Sequence, residues 1–260
     1  MRHVVELPVL TPEMGWVMGG VVSRRKTFLG IALSIAFFAQ GCDGIGDLVS
    51  PGPTNRSLRI LQRPFDGRFQ NHWPFDHDLP LGALSRTGDE MSSEHVLTWR
   101  GETVEMSWGD GRQHDGYDWG MPEGTPLKAA ADGEVIAAGR ATRVVCGAKG
   151  EVTALIVGIR HPLGSGQGYE TEYLHLSRID VAVGASVDAG QQIGLAGQTG
   201  CASGPHLHFR VFRYTSAGGR VVVDPFGWEG AFPDPWAVHT GVESLWLWKR
   251  GEAPAGDYSF

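Results

Sequence analysis

Four histidines and one aspartate stand at spacings that suit metal-assisted hydrolysis. In His206-Leu207-His208 two imidazoles sit two residues apart inside an apolar run. Residues two apart on a strand point the same way, so both rings project from one face, with Leu207 and Phe209 on the other. His114-Asp115-Gly116-Tyr117-Asp118 adds an imidazole and a carboxylate, with Gly116 fitting a bend that brings both side chains to one point. Zinc accepts imidazole nitrogen and carboxylate oxygen, and a catalytic site takes three protein ligands and leaves one position for water. His114, Asp118 and one of the His206/His208 pair would fill that set. A single carboxylate leaves the centre net positive, which acidifies a bound water toward about pH 7 and makes it a usable nucleophile. His175, in Tyr173-Leu174-His175-Leu176, supplies a further imidazole. Each fragment alone also fits a bland reading, as solvent-facing histidines on an ordinary strand or a loop histidine beside an aspartate.

The elements that must position these side chains are short. The 260 residues leave room for one ordinary domain plus attachments, and 42% hydrophobic with 20% charged residues is the balance of a folded globular chain. With 38 glycines and 15 prolines, turns are frequent and short strands are favoured over long helices. From about residue 105, short apolar runs alternate with glycine turns. Asp132-Gly133 lies between the runs Leu127–Ala131 and Glu134–Ala138, a pattern that predicts a hairpin. Further strands are predicted over Thr153–Arg160, Tyr169–Leu176, Gln192–Ala196 and His206–Tyr214; no amphipathic helix and no repeat of fixed period is visible. The reading is a mostly β chain, a compact antiparallel sheet domain with irregular flanking segments at both ends. Its parts are an export segment at 1–42, a flexible tether at 43–59, a flank packed on the core at 60–105, a catalytic domain at 106–224 and a Trp-rich extension at 225–260. The aromatics of the extension are expected to pack back on the sheet, the alternative being a wall of the substrate groove. A formal charge of −7, with no basic stripe beyond Arg24-Arg25-Lys26, argues against a nucleic-acid partner.

Ser23-Arg24-Arg25-Lys26, the apolar run Phe28–Ala39 and then Gly41-Cys42 have the layout of a secretory signal. The run is short for a membrane span, which needs about 20 residues. Ala39-Gln40-Gly41-Cys42 resembles the lipobox of bacterial lipoproteins, which implies a lipid anchor on Cys42; simple cleavage near Ala39 or Gly41 is the alternative. Ser23-Arg24-Arg25 weakly resembles a twin-arginine signal, and Met18 is a second candidate initiator. With Cys42 set aside, Cys146 and Cys201 remain as an even pair and are expected to form a disulfide in an oxidising compartment.

Together the fragments resemble the lysostaphin-type, or LytM-like, zinc metallopeptidases. The matching blocks are His114-x-Gly116-x-Asp118, Gly124-Thr125-Pro126-Leu127-x-Ala129-Ala130-Ala131-Asp132-Gly133-x-Val135, Tyr173-x-His175-Leu176-Ser177, Val187-x-x-Gly190-Gln191-x-Ile193-Gly194, and Gly197-x-Thr199-Gly200 through Gly204-Pro205-His206-Leu207-His208-Phe209. The resemblance implies a fold of the duplicated hybrid motif type with the site in a groove on the sheet. It also implies one Zn²⁺ held by His114, Asp118 and His208, flanked by His175 and His206, of which one acts as general base. The implied substrate is the peptide cross-links of bacterial peptidoglycan, and the implied place is the periplasm or cell envelope, with the chain acting as a monomer. Of the two bond types cut in such walls, D-alanyl-diaminopimelate is favoured over glycine bridges. Two other functions fit the fold type. Members that act as non-catalytic activators of wall hydrolases usually lack a metal or catalytic position, and none is missing here. Phosphotransfer domains use a histidine pair in the cytoplasm, which the export segment and Asp118 oppose. Arg210 stands where the family often has glutamate, a change expected to act on substrate preference without touching zinc. His77, in Phe75-Asp76-His77-Asp78, is a candidate to reach the groove but is left outside the site.

Overall fold

The structure, a computed structural model, describes residues 58–77, 95–105, 114–141, 144–146, 149–214, 216–238 and 242–256. The export segment with Cys42 and the tether up to residue 57 lie outside the described residues. In chain order the strands are β1 (Asn71–Trp73), β2 (His95–Leu97), β3 (Thr103–Glu105), β4 (Tyr117–Gly120), β5 (Pro126–Lys128), β6 (Gly133–Arg140), β7 (Val144–Val145), β8 (Glu151–Val152), β9 (Leu155–Gly164), β10 (Gln167–Leu174), β11 (Arg178–Ile179), β12 (Ser186–Val187), β13 (Gln192–Leu195), β14 (His206–Tyr214), β15 (Arg220–Asp224) and β16 (Val242–Ser244). Among the described residues the helical content is 3-10 only, a turn at Pro235–Val238 and the single residue Lys149, and none of their helices is long and apolar enough to cross a membrane. The mostly β expectation holds.

Nine strands form one sheet in the order β1-β4-β14-β10-β9-β6-β12, with β15 beside β14 and β16 beside β15. Its ladders are antiparallel except β15 with β16. Strand β14 is the spine because its alternation serves two faces. Leu207, Phe209 and Val211 are fully buried on one face, and His206, His208 and Arg210 take the other. Strands β9 and β10 are joined by Ser165-Gly166, whose φ values of 54° and 71° are both left-handed. That is the two-residue turn whose twist matches the flanking strands.

The predicted hairpin at Asp132-Gly133 does not form. Strand β5 pairs with β13 in a separate three-stranded sheet, whereas β6 pairs with β9 and β12 in the large one. Asp132-Gly133 is therefore a step between sheets. The Asp132 carboxylate accepts the Ala189 amide at 2.7 Å, and its carbonyl accepts His161 Nδ1–H at 2.8 Å. A Cβ on Gly133 would stand 2.3 Å from the Arg160 carbonyl, so the strand packs only with glycine there.

Both flanks enter the sheet, β1 on β4 and β16 on β15. Trp236 and Trp248 of the extension are fully buried. Trp236 meets Phe75 edge-on at 4.7 Å, and Trp248 packs on Phe226 at 5.4 Å and Phe209 at 5.9 Å. At about 25 cal/mol per Å² of apolar surface removed from water, these rings are major contributors to stability. Trp228 and Trp246 are half-buried. Cys146 and Cys201 form a disulfide with Cα atoms 5.4 Å apart, closing a loop of 55 residues.

Candidate metal centre

Antiparallel register brings the first two donors together. Residue His208 of β14 pairs across from Asp118 of β4, and His206 from Gly120. Because Tyr117 and Trp119 of β4 point into the core, Asp118 points to the opposite face, beside the two imidazoles. His114 reaches the same point from the segment leading into β4. His114 Nε2, Asp118 Oδ1 and His208 Nδ1 converge, with separations of 3.2 Å, 3.2 Å and 2.8 Å. A tetrahedral zinc with bonds of about 2.0–2.1 Å holds its donors about 3.3 Å apart. The spacing and the two-imidazole, one-carboxylate chemistry both fit zinc, and these residues form a metal-competent group among the described residues. Gly116 has a clearer reason than a bend: a Cβ there would lie 2.5 Å from the Phe209 carbonyl and 3.1 Å from the His208 ring.

The orientation of each ring is set from behind. His114 Nδ1 donates to the Pro74 carbonyl at 2.9 Å, which leaves Nε2 with its lone pair facing the other donors. His208 Nε2 lies 3.4 Å from Asp115 Oδ1, so Nδ1 is the side that faces Asp118 Oδ1 and His114 Nε2. His206 Nδ1 donates to Gly204 at 2.9 Å, and His175 Nδ1 to Thr199 at 2.7 Å. His175 and His206 have ring centroids 4.6 Å apart, and His206 Nε2 is 3.5 Å from Asp118 Oδ2. His175 adopts a left-handed φ of 66° just past the end of β10, a strained conformation of the kind concentrated at functional sites.

Burial, reinforced by the charges of His206 and His208, pushes the His175 imidazole down to about 4, so it is neutral at pH 7. Burial would also lower His208, but hydrogen bonds and charge from Asp115 and Asp118 outweigh it and raise the ring to about 9. Burial opposes ionisation of Asp118 as well, yet the neighbouring imidazoles hold its carboxyl well below the usual range.

The five residues singled out in the sequence thus meet at one place: three donors converging and two further imidazoles beside them. Two contributors were missed. The Pro74 carbonyl has no side-chain signature, and Asp115 was not singled out in the sequence. The signal for Asp115 was the opposite charge at Arg210, whose Nη1 is 2.7 Å from Asp115 Oδ2. Arg210 therefore contacts Asp115, the carboxylate behind the His208 ring, and none of the three converging donor atoms. His77 uses Nε2 on Asp224 at 2.7 Å and Nδ1 on Asp234 at 2.9 Å, so neither nitrogen is left for a metal.

A family model described as peptidase family M23 matches residues 112–225. The peptidoglycan DD-endopeptidase ShyA of Vibrio cholerae is 42% identical over 98 residues, which are 38% of this chain and 20% of that protein. The glycyl-glycine endopeptidase ALE-1 of Staphylococcus capitis is 37% identical over 102 residues, 39% of this chain and 25% of that one. The chain thus spans a fifth to a quarter of the length of these relatives. Among solved structures, the catalytic domain of the antimicrobial peptidase lysostaphin from Staphylococcus simulans is 33% identical, the match covering 42% of this chain and 75% of that chain with a TM-score of 0.33.

Proposed function

We propose, because residues 112–225 match peptidase family M23, that the chain is a zinc-dependent endopeptidase that hydrolyses peptide cross-links of bacterial peptidoglycan. The observation that carries this reading is the convergence of His114 Nε2, Asp118 Oδ1 and His208 Nδ1 at tetrahedral spacing, beside two imidazoles whose Nδ1 protons are already committed. His114, Asp118 and His208 would hold the metal. Zinc bound there supplies Lewis acidity toward a carbonyl and makes water a stronger acid.

The remaining steps belong to the chain. His175 and His206 each keep a bare Nε2, because Nδ1–H is tied to a backbone carbonyl. One of them takes the proton of the attacking water. On taking it, that ring carries N–H at Nε2, where it can donate to the oxyanion and then to the leaving amine. The depressed pKa of His175 keeps it available as an acceptor at neutral pH. The Thr199 and Gly204 carbonyls act by fixing the tautomers.

The D-alanyl-diaminopimelate bond is the favoured target, in line with the DD-endopeptidase activity in the name of one relative. The disulfide and the signal-like N-terminus support an exported protein of the periplasm or envelope, anchored by lipid if Cys42 is acylated. The test is a muropeptide digest: the chain is incubated with peptidoglycan sacculi beside a His208→Ala variant and a chelator control. Loss of cross-linked dimers with the unmodified chain alone is expected, and the new termini name the bond. A zinc-loaded chain that leaves every cross-link intact would overturn the reading in favour of a non-catalytic regulator of other wall hydrolases.

A further inference from the structure

Ligation through His208 Nδ1 requires that the ring proton sit on Nε2. The group facing Nε2 is Asp115 Oδ1, at 3.4 Å. Asp115 lies just ahead of β4 rather than on a strand, so its backbone alone does not fix its carboxylate. Its other oxygen, Oδ2, accepts Arg210 Nη1–H at 2.7 Å. The Arg210 fork continues through Nε and Nη2 to Glu172 Oε2, both at 2.7 Å. Glu172 Oε1 accepts Arg220 at 2.7 Å, Arg220 reaches Glu170 at 3.0 Å, and Glu170 accepts Arg160 at 2.7 Å. The chain of charges alternates strictly along Asp115, Arg210, Glu172, Arg220, Glu170 and Arg160. Beyond Asp115 its members are set on β9, β10, β14 and β15, with Glu172 paired across from Arg210 and Glu170 from Arg160. Arg210 and Arg220 also lie over the Phe212 ring, at 5.2 Å and 3.9 Å.

We propose that Asp115, clamped by Arg210, is a positioning residue that holds His208 in the tautomer offering Nδ1 to the metal. It acts through His208 and touches neither metal nor substrate. Sharing its charge with Arg210 lets Asp115 accept the imidazole proton without adding an uncompensated negative charge beside the centre. Arg210 and Asp115 thus work as a pair, which gives the arginine at this position a structural partner. The proposal rests on the zinc reading above.

The test is zinc retention against a competing chelator, measured on the full chain with thermal unfolding run in parallel. Asp115→Ala removes the acceptor, and retention is expected to fall about 10–100-fold, the usual cost of losing a carboxylate behind a zinc-bound histidine. Asp115→Asn is the sharper variant. Arg210 demands an acceptor, so the amide oxygen turns to Arg210 and the amide NH₂ faces His208 Nε2, favouring the wrong tautomer. Asparagine, though isosteric, is therefore expected to retain zinc no better than alanine; a packing role would leave it close to the unmodified chain. Should an Asp115 variant fail to fold, Arg210→Met is read instead, with an expected loss of about 3–10-fold, smaller because the acid remains. An unmodified chain that binds one zinc while the folded variants hold it equally well would overturn the positioning role alone. An unmodified chain that binds no zinc would overturn both readings.

Discussion

Raising the pH from 6 to 10.5 should unlatch a buried charge cluster that joins the two flanks of the sheet. His77 is fully buried between Asp224 and Asp234. Asp224 also accepts the Tyr117 hydroxyl at 3.0 Å and the Phe226 amide at 2.9 Å, while Asp234 accepts Ser244 at 2.6 Å and the Trp236 amide at 2.9 Å. Burial alone would depress His77, but the two carboxylates outweigh it and raise its pKa from 6.5 to about 9. A pKa raised on folding contributes stability that is fully present below the unfolded value and is lost as pH rises through the folded one. The shift corresponds to about 3 kcal/mol, present below pH 6.5 and gone above about pH 9. At roughly 2–4 °C per kcal/mol for a chain of this size, that is about 10 °C in Tm. Asp234, held below its ordinary range by His77 despite burial, adds the opposite flank: stability present above pH 3.8 and lost below it. The assay is a series of thermal melts of the unmodified chain and of His77→Gln, which keeps polar groups at the site without charge. The difference between the two Tm curves cancels the titrations of groups outside this cluster. It should be largest near pH 6, where stranding two buried carboxylates costs about 3–5 kcal/mol, and shrink by about 10 °C toward pH 10.5. A difference that stays constant across that range would refute an imidazolium at this position.

Three further outcomes are expected. Gly116→Ala forces a Cβ against the Phe209 carbonyl and the His208 ring; zinc affinity should drop at least about 10-fold, and isothermal titration giving an unchanged affinity would refute the close-packing argument. Opening the Cys146–Cys201 bond, whose 55-residue loop is worth about 4 kcal/mol in the loop-entropy model, should lower Tm. It should also slow turnover, because the bonded cysteine lies two residues from the Thr199 carbonyl that orients His175; melts and kinetics with and without reductant test both. Tyr173→Phe leaves the buried Ala130 amide without its 2.7 Å acceptor and should cost about 1–3 kcal/mol in urea unfolding, with less than about 0.5 kcal/mol counting against it.

What could be read from the sequence was local. The strand His206–Tyr214 was placed to its ends because alternation and apolar content agree along nine residues. The meeting of His114, Asp118, His175, His206 and His208 was legible because their types and order carry the chemistry. Three things were not legible because they depend on contacts far apart in the chain. The partition of Pro126–Lys128 and Gly133–Arg140 into different sheets is decided by β13 and β9, which a short window around Asp132-Gly133 does not contain. The partners of His77 lie 147 and 157 residues away. The Pro74 carbonyl is main chain, and only the course of the flank brings it 40 residues forward to His114.

That carbonyl bears on where the molecule can be cut. The family match runs from 112 to 225, yet Pro74, which orients a donor imidazole, and Trp236 and Trp248, which fill the core beneath the sheet, all lie outside it. The matched span is not a portable cassette. A chimera joined at its edges would inherit every donor side chain but lose the brace behind His114 and the floor under Phe209. Recombination that preserves function must instead carry at least Pro74 and Trp248 along with the matched span, so that divergence in the flanks is constrained by a site to which they contribute no donor side chain.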